Sequence, residues 1–222
     1  MQRSKTKLTA FSEKLLKAYG PQGWWPLLNH EGSNPTKTGA VRGYHPGDHS
    51  FPHNDHERFE ICAGAILTQN TAWPNVENAL RNLNEAGLLD PERITNVEGE
   101  KLRTLIRPAG YFNQKAKKLK LFSEFFISLN EKTPSREQLL DLWGVGPETA
   151  DSILLYAYKR PEFVVDAYTR RVLAAEGFMQ DAMTATYDDV KAYCVKNLPL
   201  DVEAYQEFHA LLVERAKRTK SK

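Results

Sequence analysis

The sequence has few cysteines: Cys62 and Cys194 are the two in a chain of 222 residues. They form no CxxC pair, and their spacing suits neither a zinc ion nor an iron–sulfur cluster, because such sites need several ligands at short intervals. We therefore expect a protein with reduced thiols, as in the cytoplasm, with no iron–sulfur cluster and no required cofactor.

Long hydrophobic runs are also missing. No stretch approaches the roughly 20 apolar residues of a bilayer-spanning helix, and the opening residues, MQRSKTKLTAFSEKLL, lack the apolar centre of a signal peptide. We expect a cytoplasmic protein with no membrane partner. Strand-like alternation is nearly absent too, whereas helical periodicity runs through most of the chain after Phe59, so the predicted fold is all-α.

Positive charge is unevenly distributed, although the net charge is only +2. Three basic residues lie among the first seven, four between Lys115 and Lys120, and five between Arg215 and Lys222. Such clusters suit a polyanionic partner, but solvated helix faces and tails explain them equally well. Charge alone leaves both interpretations open.

One segment, residues 29–56, shows no helical periodicity and is rich in Gly, Pro, Asn and His. We predict an irregular insertion loop before the helical body. Its histidines match no standard metal-ligand spacing, so a polar surface loop is favoured over a metal site. These histidines are His45, His49, His53 and His56.

The most informative segment, LLDLWGVGPETADSILLYAY, begins at Leu139. A capping box at Ser135 starts one helix, which we expect to end at Gly144, and a second helix follows Pro147. Glycines allow a tight turn whose backbone N–H groups, beside a helix start, can bind a phosphate. A plain helical hairpin is the alternative. We assign DNA contacts to Gly144, Val145, Gly146, Glu148 and Thr149.

The next segment, PEFVVDAYTRRVL, places Asp166 at the start of another helix. Apolar residues before it anchor the carboxylate there. Most aspartates at such positions are helix caps. The other interpretation is a carboxylate that projects into a cleft and takes part in chemistry.

Together, the hairpin and Asp166 resemble the signature of the helix-hairpin-helix DNA glycosylases, the HhH-GPD or endonuclease III superfamily. The resemblance implies an all-α, two-lobed fold with a cleft between the lobes, and it implies that Asp166 is the single essential carboxylate. We divide the chain into an N-terminal segment that packs with the C-terminal lobe, the insertion, a central lobe that contains the hairpin, and the C-terminal lobe: 1–28, 29–56, 57–165 with the hairpin at 135–158, and 166–222.

Two further segments extend the resemblance from Trp24 to about Arg215. FEICAGAILTQNTAW is similar to the helix and turn that carry a glutamine into the duplex, which implies this role for Gln69. LIRPAGYFNQKAKKL is similar to a connecting segment of the superfamily, which implies a DNA contact for Lys115.

The hairpin departs from the bifunctional members, which carry a lysine in a pattern like GVGRKTA. Glu148 stands at that position, and a carboxylate cannot form a Schiff base. We predict a monofunctional glycosylase without lysine-dependent lyase activity, in which water is the nucleophile and Asp166 stabilises the positive sugar or deprotonates the water.

The chain lacks the lysine and the cysteines of an iron–sulfur cluster, and it carries the segments WWP, TQNTAW and GYFNQKAK. In these features it resembles the cluster-free 3-methyladenine DNA glycosylase III branch. That resemblance implies base excision repair of flipped, alkylated purines, which stack well on aromatic rings. We place Trp24 or Trp25 opposite Trp73 in the base pocket, with Asn70 and Tyr111 nearby. Core packing of the tryptophans is the alternative.

Two other functions remain open: a glycosylase for mismatched, deaminated or oxidised bases, and a helix-hairpin-helix module that binds DNA without chemistry. The expected partner is double-stranded DNA containing a damaged base, bound by a monomer at the nucleoid. Because hairpins of this superfamily often hold a monovalent cation, the carbonyls of Leu142 and Gly144 are candidates for Na⁺ or K⁺.

Overall fold

The computed structural model describes residues 6–35 and 42–219. These ranges contain eleven α-helices, one 3₁₀ turn, one π-helical turn and no β-strand, which confirms the all-α prediction. The helices are α1 (Lys7–Tyr19), α2 (Asp55–Leu67), α3 (Trp73–Glu85), α4 (Pro91–Asn96), α5 (Gly99–Leu105), α6 (Phe112–Ser128), α7 (Arg136–Leu140), α8 (Pro147–Ser152), α9 (Ala167–Ala175), α10 (Tyr187–Asn197) and α11 (Val202–Thr219).

Side-chain caps start many of these helices because the first backbone N–H groups of a helix lack internal partners. Asn54 caps α2 by accepting from the Glu57 N–H at 2.9 Å. At α7 the predicted capping box is present: Ser135 accepts from the Gln138 N–H, and the Gln138 side chain accepts from the Ser135 N–H. Local sequence chemistry therefore fixes these helix starts.

Two helices run through the interior. Every residue of α2 from Phe59 to Leu67 is buried, and so is every residue of α11 from Tyr205 to Glu214. The π-helical turn Ile153–Ala157, which continues α8, packs between them. This arrangement brings the second hairpin helix against the C-terminal helix, next to the start of α9.

The N-terminal helix α1 was not predicted. It packs on α10 and α11, and the Thr9 hydroxyl donates to the carbonyl of Asn197 at 3.0 Å. The boundaries between lobes remain a prediction, and residues 1–5 lie outside the described ranges.

Two helix boundaries differ from prediction. The first hairpin helix ends at Leu140, not Gly144, because the chain turns there and the Val145 N–H donates to the carbonyl of Leu142 at 3.0 Å. The second keeps α-helical geometry only to Ser152 and then widens into the π turn.

In its described part, residues 29–35 and 42–54, the insertion has no helix or strand, but it is not simply a polar surface loop; residues 36–41 lie outside the described ranges. His45 is 5% exposed; its Nε2 lies 3.0 Å from the carbonyl of Trp25 and its ring packs on Phe51. The imidazole ring is itself aromatic and can pack against a phenyl ring in the interior. The polar composition of the segment does not reveal this packing. Within the described residues, no His, Cys, Asp and Glu side chains group as a metal site would require, and no helix could cross a membrane.

Candidate active site

Asp166 is both a helix cap and a member of a site. Its Oδ1 accepts from the Thr169 N–H at 2.6 Å, which caps α9. Its Oδ2 faces Nε2 of His209 at 3.6 Å, and the side chain remains 13% exposed. One carboxylate oxygen therefore anchors the residue while the other is directed towards α11.

The pKa of Asp166 is lower than its usual value. Burial alone would raise it, but the His209 side chain, whose Nε2 lies 3.6 Å from Oδ2, together with the Thr169 N–H, outweighs burial. The group is therefore ionised at neutral pH. A fixed negative charge at low hydration suits a site that must stabilise a developing positive charge.

His209 was missed by the sequence analysis. It lies in the buried stretch of α11, its Nδ1 is 2.7 Å from the Tyr156 hydroxyl, and its ring meets Trp24 edge to face with centroids 5.7 Å apart. No motif in the sequence marks this histidine. Only the packing of α11 against the start of α9 brings it to Asp166.

Glu148 is electrostatically coupled to Asp166. It is exposed overall, but the surrounding protein reduces the hydration of its carboxyl group and Asp166 adds a negative charge, and these effects raise its pKa to about 7. His209 and Arg170 partly offset them. The charge of Glu148 therefore acts on the candidate catalytic carboxylate.

The two hairpin glycines differ. Gly144 has φ +83°, which residues other than glycine rarely adopt, and a Cβ there would also displace the Lys118 side chain. Gly146 has φ −97° and open space around the Cβ position. Of the two glycines expected to allow the tight turn, only Gly144 lies in the left-handed region, so Gly146 is not needed for its backbone freedom.

The other hairpin residues split between surface and interior. Val145 and Thr149 are 8% and 7% exposed, so their side chains are not on the surface expected to meet DNA. Gly144, Gly146 and Glu148 are exposed. Contact between these three residues and DNA stays a prediction.

Gln69 is bound to the hairpin. Its Nε2 donates to the carbonyl of Gly144 at 3.1 Å and to the Thr149 hydroxyl at 2.9 Å, and its Oε1 accepts from Lys118. The turn after α2 and the hairpin turn, both expected to contact DNA, are thus joined. Insertion of Gln69 into a duplex remains a prediction and would require these bonds to break.

The predicted DNA contact of Lys115 is wrong. This lysine is 2% exposed, and its Nζ donates to the carbonyls of Leu67 and Ala109, each at 2.8 Å. Burial, with the charge of Lys118 nearby, lowers its pKa to about 8. Lys115 holds the C-terminal end of α2, which precedes Gln69, and cannot reach a phosphate.

Trp25 and Trp73 do not form the predicted sandwich, and the alternative pair, Trp24 and Trp73, stays a prediction. Trp25 is 5% exposed, and its ring meets Trp73 at 83° with centroids 5.4 Å apart. A base between two rings needs parallel planes about 7 Å apart, twice a van der Waals contact of about 3.5 Å. Trp25 is therefore a core residue. Trp24 is only partly buried and packs on His209, which leaves it as the tryptophan beside the site.

The remaining predicted residues lie on turns. Asn70 and Tyr111 both have positive φ, 54° and 46°, and both are exposed. The carbonyls of Leu142 and Gly144 already accept hydrogen bonds from the Val145 N–H and from Gln69. A base contact for Asn70 and Tyr111, and a cation on the two carbonyls, stay predictions.

The chain is similar to known repair proteins. Residues 63–199 match the family model described as HhH-GPD superfamily base excision DNA repair protein. A Methanocaldococcus jannaschii protein described as a putative DNA repair glycosylase is 42% identical over 92% of this chain and 84% of its own length. Endonuclease III of Thermotoga maritima is 30% identical over 68% of this chain and 71% of its own.

Solved structures of DNA glycosylases share the fold of this chain. The H. pylori 3-methyladenine DNA glycosylase MagIII, bound to 1,N6-ethenoadenine, superposes with TM-score 0.70 and 29% identity, covering 96% of both chains. An endonuclease III–DNA complex gives TM-score 0.69 at 20% identity over 93% of this chain and 83% of that one, which shows the shared fold. With the hairpin and Asp166 in place, the chain belongs to the HhH-GPD superfamily and is a DNA glycosylase of base excision repair.

Proposed function

We propose that this glycosylase is monofunctional and removes alkylated purines of the 3-methyladenine type from double-stranded DNA. The observation that carries the proposal is the carboxylate of Asp166, which is ionised, partly exposed and coupled to a glutamate where bifunctional relatives have lysine. The 29% identity with a 3-methyladenine DNA glycosylase supports the substrate class.

In the proposed reaction, the bond between the base nitrogen and C1′ of the sugar breaks and its electron pair leaves with the base. Positive charge develops on the sugar, and the Asp166 carboxylate stabilises it. Water then adds to C1′ and loses a proton, for which Asp166 is the acceptor. An alkylated purine already leaves easily, so one carboxylate suffices without a strong general acid.

The lysines around the site support hydrolysis rather than lyase chemistry. Lys115 is buried against two carbonyls and Lys118 is bound to Gln69, so neither amine is placed for attack on the sugar. Lys217 in α11 is the described lysine to test, because its charge is coupled to Asp166 and burial lowers its pKa. Borohydride should trap no protein–DNA adduct. A trapped adduct that disappears in Lys217→Met would replace this proposal with a bifunctional enzyme.

Trp24 is the proposed aromatic wall for the everted base, since it lies beside His209 and keeps part of its ring exposed. Stacking favours electron-poor, alkylated rings. We further propose that the protein acts as a monomer on chromosomal DNA in the cytoplasm and requires no cofactor. Mismatched, deaminated and oxidised bases are the competing substrates.

A lesion panel tests the proposal. Duplexes that each carry one alkylated, deaminated or oxidised base are incubated with protein and then cleaved with alkali at abasic sites. We expect release from alkylated purines, and Asp166→Asn should bind the same DNA without release. Asp90→Asn is the matched control, because Asp90 caps α4 by accepting from the Arg93 N–H at 2.9 Å.

Three results would contradict the proposal. Preferred release of a deaminated or oxidised base would show that such bases, not alkylated purines, are the substrate class. Undiminished release by Asp166→Asn would remove its catalytic role. No release from any lesion would favour a DNA-binding module.

A further inference from the structure

A buried chain of polar groups leads from the π turn to the candidate catalytic carboxylate. The Tyr156 hydroxyl lies 2.7 Å from Nδ1 of His209, and Nε2 of the same ring lies 3.6 Å from Oδ2 of Asp166. Tyr156 and His209 are 1% and 4% exposed. No described residue gives Nε2 a conventional hydrogen bond, so the group that it faces is Asp166.

The π turn explains how Tyr156 reaches this place. In the widened turn, the Leu155 carbonyl accepts a hydrogen bond from the Gln206 side chain at 3.0 Å, which ties the turn to α11. The Tyr156 hydroxyl lies 3.2 Å from the Gln206 carbonyl as well. π-helical turns are rare and recur at functional sites, where they re-aim a side chain.

The positions of the protons on Tyr156 and His209 follow from counting the hydrogen-bond donors that these two side chains have. The Tyr156 hydroxyl has one proton. If it donates to Nδ1 of His209, the neutral imidazole carries its own proton on Nε2. If it donates to the Gln206 carbonyl, Nδ1–H donates to Tyr156, and a bare Nε2 would then repel the carboxylate. The favourable arrangement is the one in which Tyr156 donates to Nδ1, and it directs the Nε2–H of His209 at Asp166.

We propose that His209 is a positioning residue of base excision, which holds the Asp166 carboxylate ionised and aimed at the sugar, and that Tyr156 fixes the orientation and tautomer of His209. The inference rests on the proposed role of Asp166. It assigns no contact with substrate to either residue.

Other charged groups also face Asp166. Glu148 from α8 opposes its ionisation and Lys217 from α11 favours it, while the Thr169 N–H lies in its own helix. Burial, with the charges of Glu207 and Asp166, raises the pKa of Tyr156 well above its usual value, so this hydroxyl stays protonated. His209 is the group that offsets the burial of Asp166 most strongly.

The consequence is a defined pH effect. Asp166 must be ionised to stabilise the positive sugar, so activity falls as the pH drops through its pKa. Without the His209 donor, the burial of Asp166 is no longer offset and its pKa rises. The acid limb of the rate profile should therefore move to higher pH.

Three substitutions separate positioning from mere packing. In His209→Gln, the side-chain amide places a donor near the Nε2 position, whereas in His209→Asn the amide reaches only the Nδ1 position. Tyr156→Phe removes the hydroxyl and keeps the ring. Single-turnover base release is measured against pH with duplex DNA methylated by dimethyl sulfate, alongside melting temperature and DNA affinity.

We expect His209→Asn to release bases more slowly with its acid limb at higher pH, Tyr156→Phe to show a smaller shift in the same direction, and His209→Gln to stay close to wild type. Identical profiles in wild type and His209→Asn would overturn the inference, as would equal losses in both His209 variants without a shift. If His209→Asn does not fold, the other two variants decide. A wild-type pH profile in Tyr156→Phe, together with a shifted pH profile in His209→Gln, would contradict the inference. Undiminished release by Asp166→Asn refutes the proposed function instead.

Discussion

The Nε2 of Gln69 donates a hydrogen bond to the carbonyl of Gly144 at 3.1 Å, across 75 positions of sequence. This contact joins the turn that follows α2 to the glycine turn of the hairpin. Lys118 completes the junction, because it donates to Gln69 and occupies the space that a side chain at position 144 would need. The two turns therefore act as one preorganised surface.

Loss of the Gln69 side chain should weaken that surface. In Gln69→Ala, the hairpin turn loses two hydrogen bonds, which contribute about 1 kcal/mol each to stability. We expect a lower melting temperature and weaker binding of duplex DNA, measured by anisotropy. Gln180→Ala is the control, an exposed glutamine between α9 and α10. Wild-type DNA affinity in Gln69→Ala would show that the junction does not organise the DNA surface.

Lys115 should matter for folding rather than for phosphate binding. Lys115→Met keeps the aliphatic stem but leaves the carbonyls of Leu67 and Ala109 without their donor, at a cost of about 1–3 kcal/mol for each buried group. We expect a clear loss in the free energy of unfolding and an unchanged slope of DNA affinity against salt. Lys117→Met, at an exposed position of the same helix, is the comparison. A reduced salt slope for Lys115→Met alone would contradict the structural role.

Predictions from local sequence succeeded where local chemistry decides the structure. The Ser135 capping box formed because both of its hydrogen bonds lie within one helical turn. Gly144 needs its positive φ for the turn itself. Helix α1 could have been predicted in the same way, since Thr6 caps it and Leu8, Phe11 and Leu15 lie on its buried face.

Predictions failed where distant segments decide the environment of a side chain. Lys115 looked basic and exposed, but α6 turns it into the protein, where it donates to the carbonyls of Leu67 and Ala109. Trp25 follows a partly exposed Trp24, yet its ring points into the core. The importance of His209 depends on the approach of α11 to α9. No periodicity or spacing encodes these contacts.

The adjacent tryptophans should have separable effects. Trp25→Ala removes a large buried ring, and such truncations cost about 3–5 kcal/mol of stability. Trp24→Ala should mainly slow base release, because stacking on an aromatic ring is worth about 1–3 kcal/mol per base. Thermal unfolding and single-turnover release on methylated duplex DNA distinguish the two. Unchanged release in a folded Trp24→Ala protein would remove Trp24 from the base pocket.

Glu148 should make stability depend on pH. Its pKa rises from an ordinary value of 4.5 to about 7 on folding. A raised folded pKa means that the protonated group stabilises the fold at low pH, and this contribution is lost as the pH rises through 7. Glu148→Gln should therefore melt higher than wild type at slightly alkaline pH, with the advantage vanishing towards acid pH. A constant difference in melting temperature across that range would argue against the raised pKa.

Replacing Glu148 by lysine tests the chemistry of the same position. Glu148→Lys creates the sequence GVGPKTA and places an amine beside Asp166, whose carboxylate is coupled to this position. A neutral amine there could attack C1′ and form a Schiff base, which borohydride reduces to a stable adduct. We expect wild type to give no trapped product and Glu148→Lys to give one on DNA that carries an abasic site. Glu137→Lys, in the first turn of α7, controls for the added positive charge. Equal trapping in Glu148→Lys and Glu137→Lys would mean that position 148 does not face the sugar.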